Sequence, residues 1–189
     1  MASMVLAMLV SLVTALFASG DGDSSCPGIR SMTLNETCLA ACGPTNPQLY
    51  SLCLETLQND EPPAAGKKAA ITVFVVAAAR RVARAYDDTV DEAERLIVAG
   101  ALTRDEREVY QRCIGSYGLA RAEIGGVVSD VAGCEFGRVR EEYEVAEKAV
   151  AACGEALMPG SPLAAKNASD RDLTAVAADL GALVLRANE

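Results

Sequence analysis

Histidine and tryptophan are absent from the 189 residues, and aromatic residues make up 4% of the chain. Without histidine the chain lacks the commonest general base, the Ser-His-Asp and Cys-His arrangements, and the usual metal ligand. No catalytic residue, metal or cofactor is therefore expected, and the sequence does not read as an enzyme. The scarcity of aromatics argues against stacking platforms for sugars. Basic residues are outnumbered, 17 against 26 acidic, for a net charge of −9. An acidic surface disfavours nucleic acid and anionic membranes and suits a basic partner or simple solubility. Beyond the first twenty residues, no stretch is long and apolar enough to span a bilayer.

Residues 1–20 carry no charged side chain and are apolar from Met4 to Phe17 except at Ser11 and Thr14. Ala18-Ser19-Gly20 then supplies small residues for cleavage. This pattern predicts a secretory signal peptide over 1–20 and a mature chain over 21–189. An oxidising destination gives meaning to the seven cysteines. It also makes Asn35-Glu36-Thr37 and Asn167-Ala168-Ser169 candidate N-glycosylation sequons, with Asn35 and Asn167 as acceptors.

The cysteines are spaced for folded-back helices. Cys113 and Cys153 have their midpoint at Gly133, inside the loop-like run Ala132-Gly133-Cys134-Glu135-Phe136-Gly137. If the helical patterns on either side are antiparallel, the two cysteines face each other, and a bridge would contribute roughly 4 kcal/mol. Cys38 and Cys53 have their midpoint in the breaker run Gly43-Pro44-Thr45-Asn46-Pro47. Cys42 and Cys53 also straddle that turn, so spacing leaves the two pairings open. Cys26, Cys42 and Cys134 remain outside the favoured pairs, an odd number, so at least one thiol is free or joins a second chain. Without histidine, Cys38-x-x-x-Cys42 is a weak metal motif.

The apolar periodicity predicts an all-α chain. Residues 26–60 form an N-terminal helical hairpin, from two short helices over Met32–Cys42 and Gln48–Gln58. Glu61-Pro62-Pro63 is the linker, and residues 66–189 hold four amphipathic helices. The first steps through Ile71, Val75, Ala78, Val82, Tyr86, Val90, Ala93 and Ile97 and stops at Gly100. Thr103 with Glu106 is a capping box opening the second, whose stripe runs from Val109 to Val131. The third carries Phe136, Val139, Tyr143, Ala146, Val150, Cys153 and Leu157. A loop of about ten residues should follow, with Ser169 and Asp172 capping the last helix. Short connections favour an up-down-up-down four-helix bundle, with no strand pair. Tyr117 and Tyr143 fall on apolar stripes and are expected in the core. Arg84–Asp88 and Asp91–Arg95 are i,i+4 neighbours on a solvated face. Glu141, Glu142 and Glu144 also read as surface, since a carboxylate metal site in a bundle wants histidine partners. Phe136 fits either an exposed anchor at the turn or the start of the third stripe.

Several segments together resemble the plant invertase and pectin methylesterase inhibitors over essentially the whole mature chain. They are the leader, Glu36-Thr37-Cys38, Leu49-Tyr50-Ser51-Leu52-Cys53-Leu54-Glu55-Thr56-Leu57, Tyr110-Gln111-Arg112-Cys113-Ile114-Gly115-Ser116-Tyr117, Ala152-Cys153-Gly154-Glu155 and Leu173-Thr174-Ala175-Val176-Ala177. The resemblance implies a disulfide-stapled bundle with Cys38 bonded to Cys53 and Cys113 to Cys153. It also implies a secreted, apoplastic or vacuolar inhibitor whose partner is pectin methylesterase or acid invertase. Invertase-type members insert a Pro-Lys-Phe turn between the second and third bundle helices into the target. Here Phe136 matches the aromatic, but Glu135 stands where lysine would be and the proline is missing. Glu135 and Phe136 are thus the candidate target contacts. The altered tip and the acidic chain, facing targets that are often basic, lean toward pectin methylesterase, whereas the hairpin spacing leans toward the invertase branch. The expected state is a monomer or a disulfide-linked dimer.

Overall fold

The computed structural model describes residues 26–43, 46–58, 66–100 and 102–187. The leader expected over 1–20 and the Glu61-Pro62-Pro63 linker lie outside the described residues. Six helices dominate: α1 (Leu34–Cys42), α2 (Pro47–Gln58), α3 (Ile71–Val98), α4 (Arg104–Ala132), α5 (Val139–Ala156) and α6 (Pro162–Ala187). Their starts follow from local chemistry. Thr33 and Glu36 form a capping box at α1, and Thr103 and Glu106 form one at α4. Asn46 Oδ1 accepts from the Leu49 amide at α2, where Pro47 takes the first helical position.

The last helix begins earlier than the sequence suggests. Ser161 Oγ accepts from the Leu163 amide, and Pro162 opens α6, so the expected ten-residue loop is mostly helix. Proline read as a stop signal acts here as a start, because the amide it lacks has no intrahelical partner at that position. Ser169 and Asp172 consequently lie inside α6. A strand pair, not expected from the sequence, also exists. Ser31–Met32 (β1) pairs antiparallel with Ala69–Ala70 (β2), with Ser31 opposite Ala70. Two residues per strand are too few to show a period-two pattern.

The four long helices make an up-down-up-down bundle, α4 packing on α3 and α5, and α6 closing the ring against both. The α1–α2 hairpin lies on α6 and α3. The core includes Ile71, Phe74, Val82, Tyr86, Tyr117, Ile124, Tyr143 and Leu180, with many alanines between them. A smaller cluster of Ala93, Val109, Tyr110 and Leu163 seals the end where α3 turns into α4. Arg95 pairs with Glu92 rather than with Asp91, and Asp87 pairs across to Arg121 on α4.

Three disulfides tie these parts together. Cys38–Cys53 joins α1 to α2, Cys113–Cys153 joins α4 to α5, and Cys26–Cys134 joins the N-terminal segment to the α4–α5 turn. Cys42 is buried and is the free cysteine among the described residues. No helix among them is long and apolar enough to cross a membrane.

Candidate target-docking surface

The α4–α5 turn is built as a helix C-cap. The Glu135 amide donates to Asp130 O at 2.8 Å and the Cys134 amide to Val131 O at 3.2 Å. That is the Schellman pattern, whose left-handed position normally goes to glycine. Cys134 occupies it with φ 61°, a conformation that costs an L residue about 1–2 kcal/mol. The bridge to Cys26 holds it there, so the turn is stapled to the N-terminal segment.

Glu135 is exposed at the tip. Phe136 is not: it is 6% exposed and belongs to the main core cluster. Of the two readings open to it, exposed anchor or start of the third stripe, the structure shows the second, so Phe136 does not stand out as an aromatic target contact. The ring starts the apolar stripe of α5, and burying it in the bundle is worth more than presenting it to solvent.

A groove runs along the seam between α5 and α6. Its main basin, about 570 Å³, is lined by Glu147, Lys148, Ala151, Arg171, Asp172 and Ala175. Past Glu147 it continues into a hollow of about 150 Å³ beside Arg140, Tyr143 and Gly181. Small residues on α6, among them Ala168, Ala175, Ala178 and Gly181, leave this space open, with Ala151 as the one small residue on the α5 side. At Gly181 a Cβ would come within 2.6 Å of the Tyr143 ring, so the ring can pack this close to α6 only because residue 181 is glycine. Burial raises the pKa of Glu147, with Asp179 and Glu144 adding to it, and burial also raises that of Asp179, partly offset by Arg186.

Beneath the groove, a polar network crosses the bundle. Asp170 Oδ2 accepts from Thr89 Oγ1 at 2.6 Å and from Tyr117 Oη at 2.8 Å. Asn167 Nδ2 donates to Tyr117 Oη at 3.0 Å and to Val150 O at 2.9 Å. Thr174 Oγ1 donates to Asp170 O, so the 2.6 Å contact between Tyr86 and Thr174 has the tyrosine as donor. Burial raises the Asp170 carboxyl, and the bonds from Thr89 and Tyr117 pull it back. All four bundle helices are joined by this network, which lies inside the fold and offers no open reactive atom.

Asn167 is therefore corrected as a glycosylation acceptor. It is 3% exposed, and the nitrogen a glycan would need makes both of those hydrogen bonds. Asn35 is exposed on α1. Glu142, expected on the surface, is also buried, at 1% exposure. No cluster of three or more potential metal ligands occurs among the described residues.

No family model matches the sequence, and no curated protein matches it. A solved structure does: the crystal structure of a pectin methylesterase inhibitor from Arabidopsis thaliana, 13% identical, with TM-score 0.56, covering 80% of this chain and 97% of that chain. The chain has the fold of a pectin methylesterase inhibitor. On this fold the tip and the α5–α6 groove are two distinct surface features: one is stapled and acidic, the other shallow and of mixed charge. Sequence reasoning missed the groove because it needs the two helices side by side. It missed the buried network because the members on α6, Asn167, Asp170 and Thr174, look like ordinary surface residues.

Proposed function

We propose that the chain is a secreted inhibitor of a cell-wall carbohydrate-active enzyme, pectin methylesterase first, which it blocks by lying over the substrate cleft. The observation that carries this reading is the likeness of fold to a pectin methylesterase inhibitor across nearly the whole of that chain. Three disulfides in a small bundle support it, since a stapled scaffold loses little conformational entropy on docking. The net charge of −9 suits a basic target. In this reading the protein acts as a monomer in the apoplast, with no cofactor and no catalytic residue of its own.

Acid invertase is the second target. The Cys38–Cys53 spacing favours it, whereas a tip with exposed Glu135 and buried Phe136 lacks the cation and aromatic ring that an acidic cleft would receive. Purified protein titrated into both enzymes in mildly acidic buffer separates the two. The expected outcome is stoichiometric loss of pectin methylesterase activity with invertase unaffected. Inhibition of invertase alone transfers the proposal to the second target, and no effect on either enzyme at micromolar concentration leaves a non-inhibitory binding bundle.

A further inference from the structure

Glu142 lies on α5 where that helix meets α4. Neither carboxylate oxygen has a hydrogen-bond partner, although the side chain is 1% exposed. Arg138, one turn earlier and itself exposed, brings a guanidinium nitrogen to 3.0 Å from Oε1 without hydrogen-bonding geometry. Room for the carboxylate exists because residue 126 on α4 is glycine, and a Cβ there would overlap Oε1. α4 faces this group with charges of the wrong sign, Asp130 and Glu123, and Glu141 adds another from α5 itself. The adjoining Tyr143 hydroxyl is buried and likewise lacks a partner.

An ionised carboxylate in such a place has lost its water and gained one off-axis cation. A neutral carboxyl is far cheaper to keep dry. We propose that Glu142 is an acid-closed latch on the α4–α5 seam: the seam is tightest when the carboxyl holds its proton and loosens as it ionises. The end of the bundle bearing the Gly133–Arg138 turn is then better ordered in mildly acidic than in neutral solution. This inference concerns the isolated chain and stands apart from the identity of any target.

The direction follows from linkage. Burial first and Asp130 second raise the pKa, and Arg138 offsets them only in part. The folded state thus keeps a proton that the unfolded chain has already released. The contribution to stability is complete below the ordinary carboxylate range, near pH 4, and disappears as pH rises through the raised value. Glu36, Glu92 and Glu106, all surface groups with lowered pKa, act in the opposite sense. Asp170, Glu147 and Asp179 are raised by burial too, so the wild-type profile alone does not single out Glu142.

The test compares the full chain with E142Q in urea unfolding between about pH 4 and about pH 8, a range spanning the solvated carboxylate value and well above it. The wild-type midpoint should fall with rising pH. The E142Q midpoint should match it at the acid end, exceed it at the alkaline end and fall less between. Amide protection factors over residues 123–142, with the intrinsic pH dependence of exchange divided out, should rise on acidification in the wild type and change less in E142Q. An E142Q profile parallel to wild type, or a midpoint lower than wild type at the alkaline end, overturns the proposal. If E142Q does not fold, carbon-13 NMR titration of the wild-type Glu142 carboxyl decides. A midpoint above the ordinary glutamate range supports the latch, and one at or below it refutes the latch.

Discussion

Asn167 and Gly154 share one space: a Cβ on residue 154 would overlap Asn167 Oδ1. The pair therefore behaves as a unit. Gly154→Ala should destabilise by about 1–3 kcal/mol through overpacking. Asn167→Ala should cost a similar ~1–3 kcal/mol, because Tyr117 and Val150 lose a buried donor. In the double variant the new methyl occupies the vacated volume, so the loss should be clearly smaller than the sum. Denaturant midpoints of the four proteins check this, and additive losses would contradict the shared space. Mass spectrometry of the peptide containing Asn167 should find it unmodified. The sequence displayed Asn167 as a sequon and concealed its real place. The concealed signal is a stripe on α6, in which Asn167, Asp170 and Thr174 continue the three-four spacing that links Leu163 to Ala177 and Val184. Polar residues on an apolar stripe mark a buried network, but composition alone reads them as surface.

At the scale of elements, the turn between α4 and α5 depends on a residue poorly suited to it. Cys134 takes a left-handed conformation, and its bridge to Cys26 spans 108 residues. Replacing both cysteines with serine removes the staple and keeps the strained backbone. Loop-closure entropy puts the loss at about 2–4 kcal/mol, below the value for a lone bridge because two other disulfides already constrain the chain. Exchange of amides in β1, β2 and the turn should quicken before that of the central helices. Placing glycine at 134 instead, in C26S/C134G, should recover about 1 kcal/mol over C26S/C134S, since glycine tolerates positive φ. Equal stability of the two double variants would show that the turn relaxes once the bridge is gone. Capping boxes and apolar stripes made α1 and α4 legible at their starts. The Cys26–Cys134 bridge was not legible, because only the assembled bundle brings the N-terminal segment beside that turn.

For the whole molecule, helical periodicity and cysteine midpoints around two turns were enough to reach the architecture. Which residues of the tip and of the α5 faces reach solvent was not accessible in the same way. That depends on how deeply Phe136 and Glu142 sink, and neither spacing nor charge counts report depth. The same depth argument bears on assembly. Six of the seven cysteines are paired, and the seventh, Cys42, is 8% exposed. Burial, with Asp179 nearby, pushes its thiol up to about 11, so at neutral pH it is protonated and a poor nucleophile. A disulfide-linked dimer through Cys42 would require α1 to lift from α6. The native protein should therefore show almost no thiol reactive toward an aromatic disulfide reagent. One thiol per chain should appear in denaturant, and non-reducing electrophoresis should give a monomer band. A reducible dimer would overturn this, and its source is then separable. Loss of the dimer in Cys42→Ser would mean that the α1–α2 hairpin opens, whereas a dimer that persists in Cys42→Ser would mean that Cys26 and Cys134 do not close on each other within one chain.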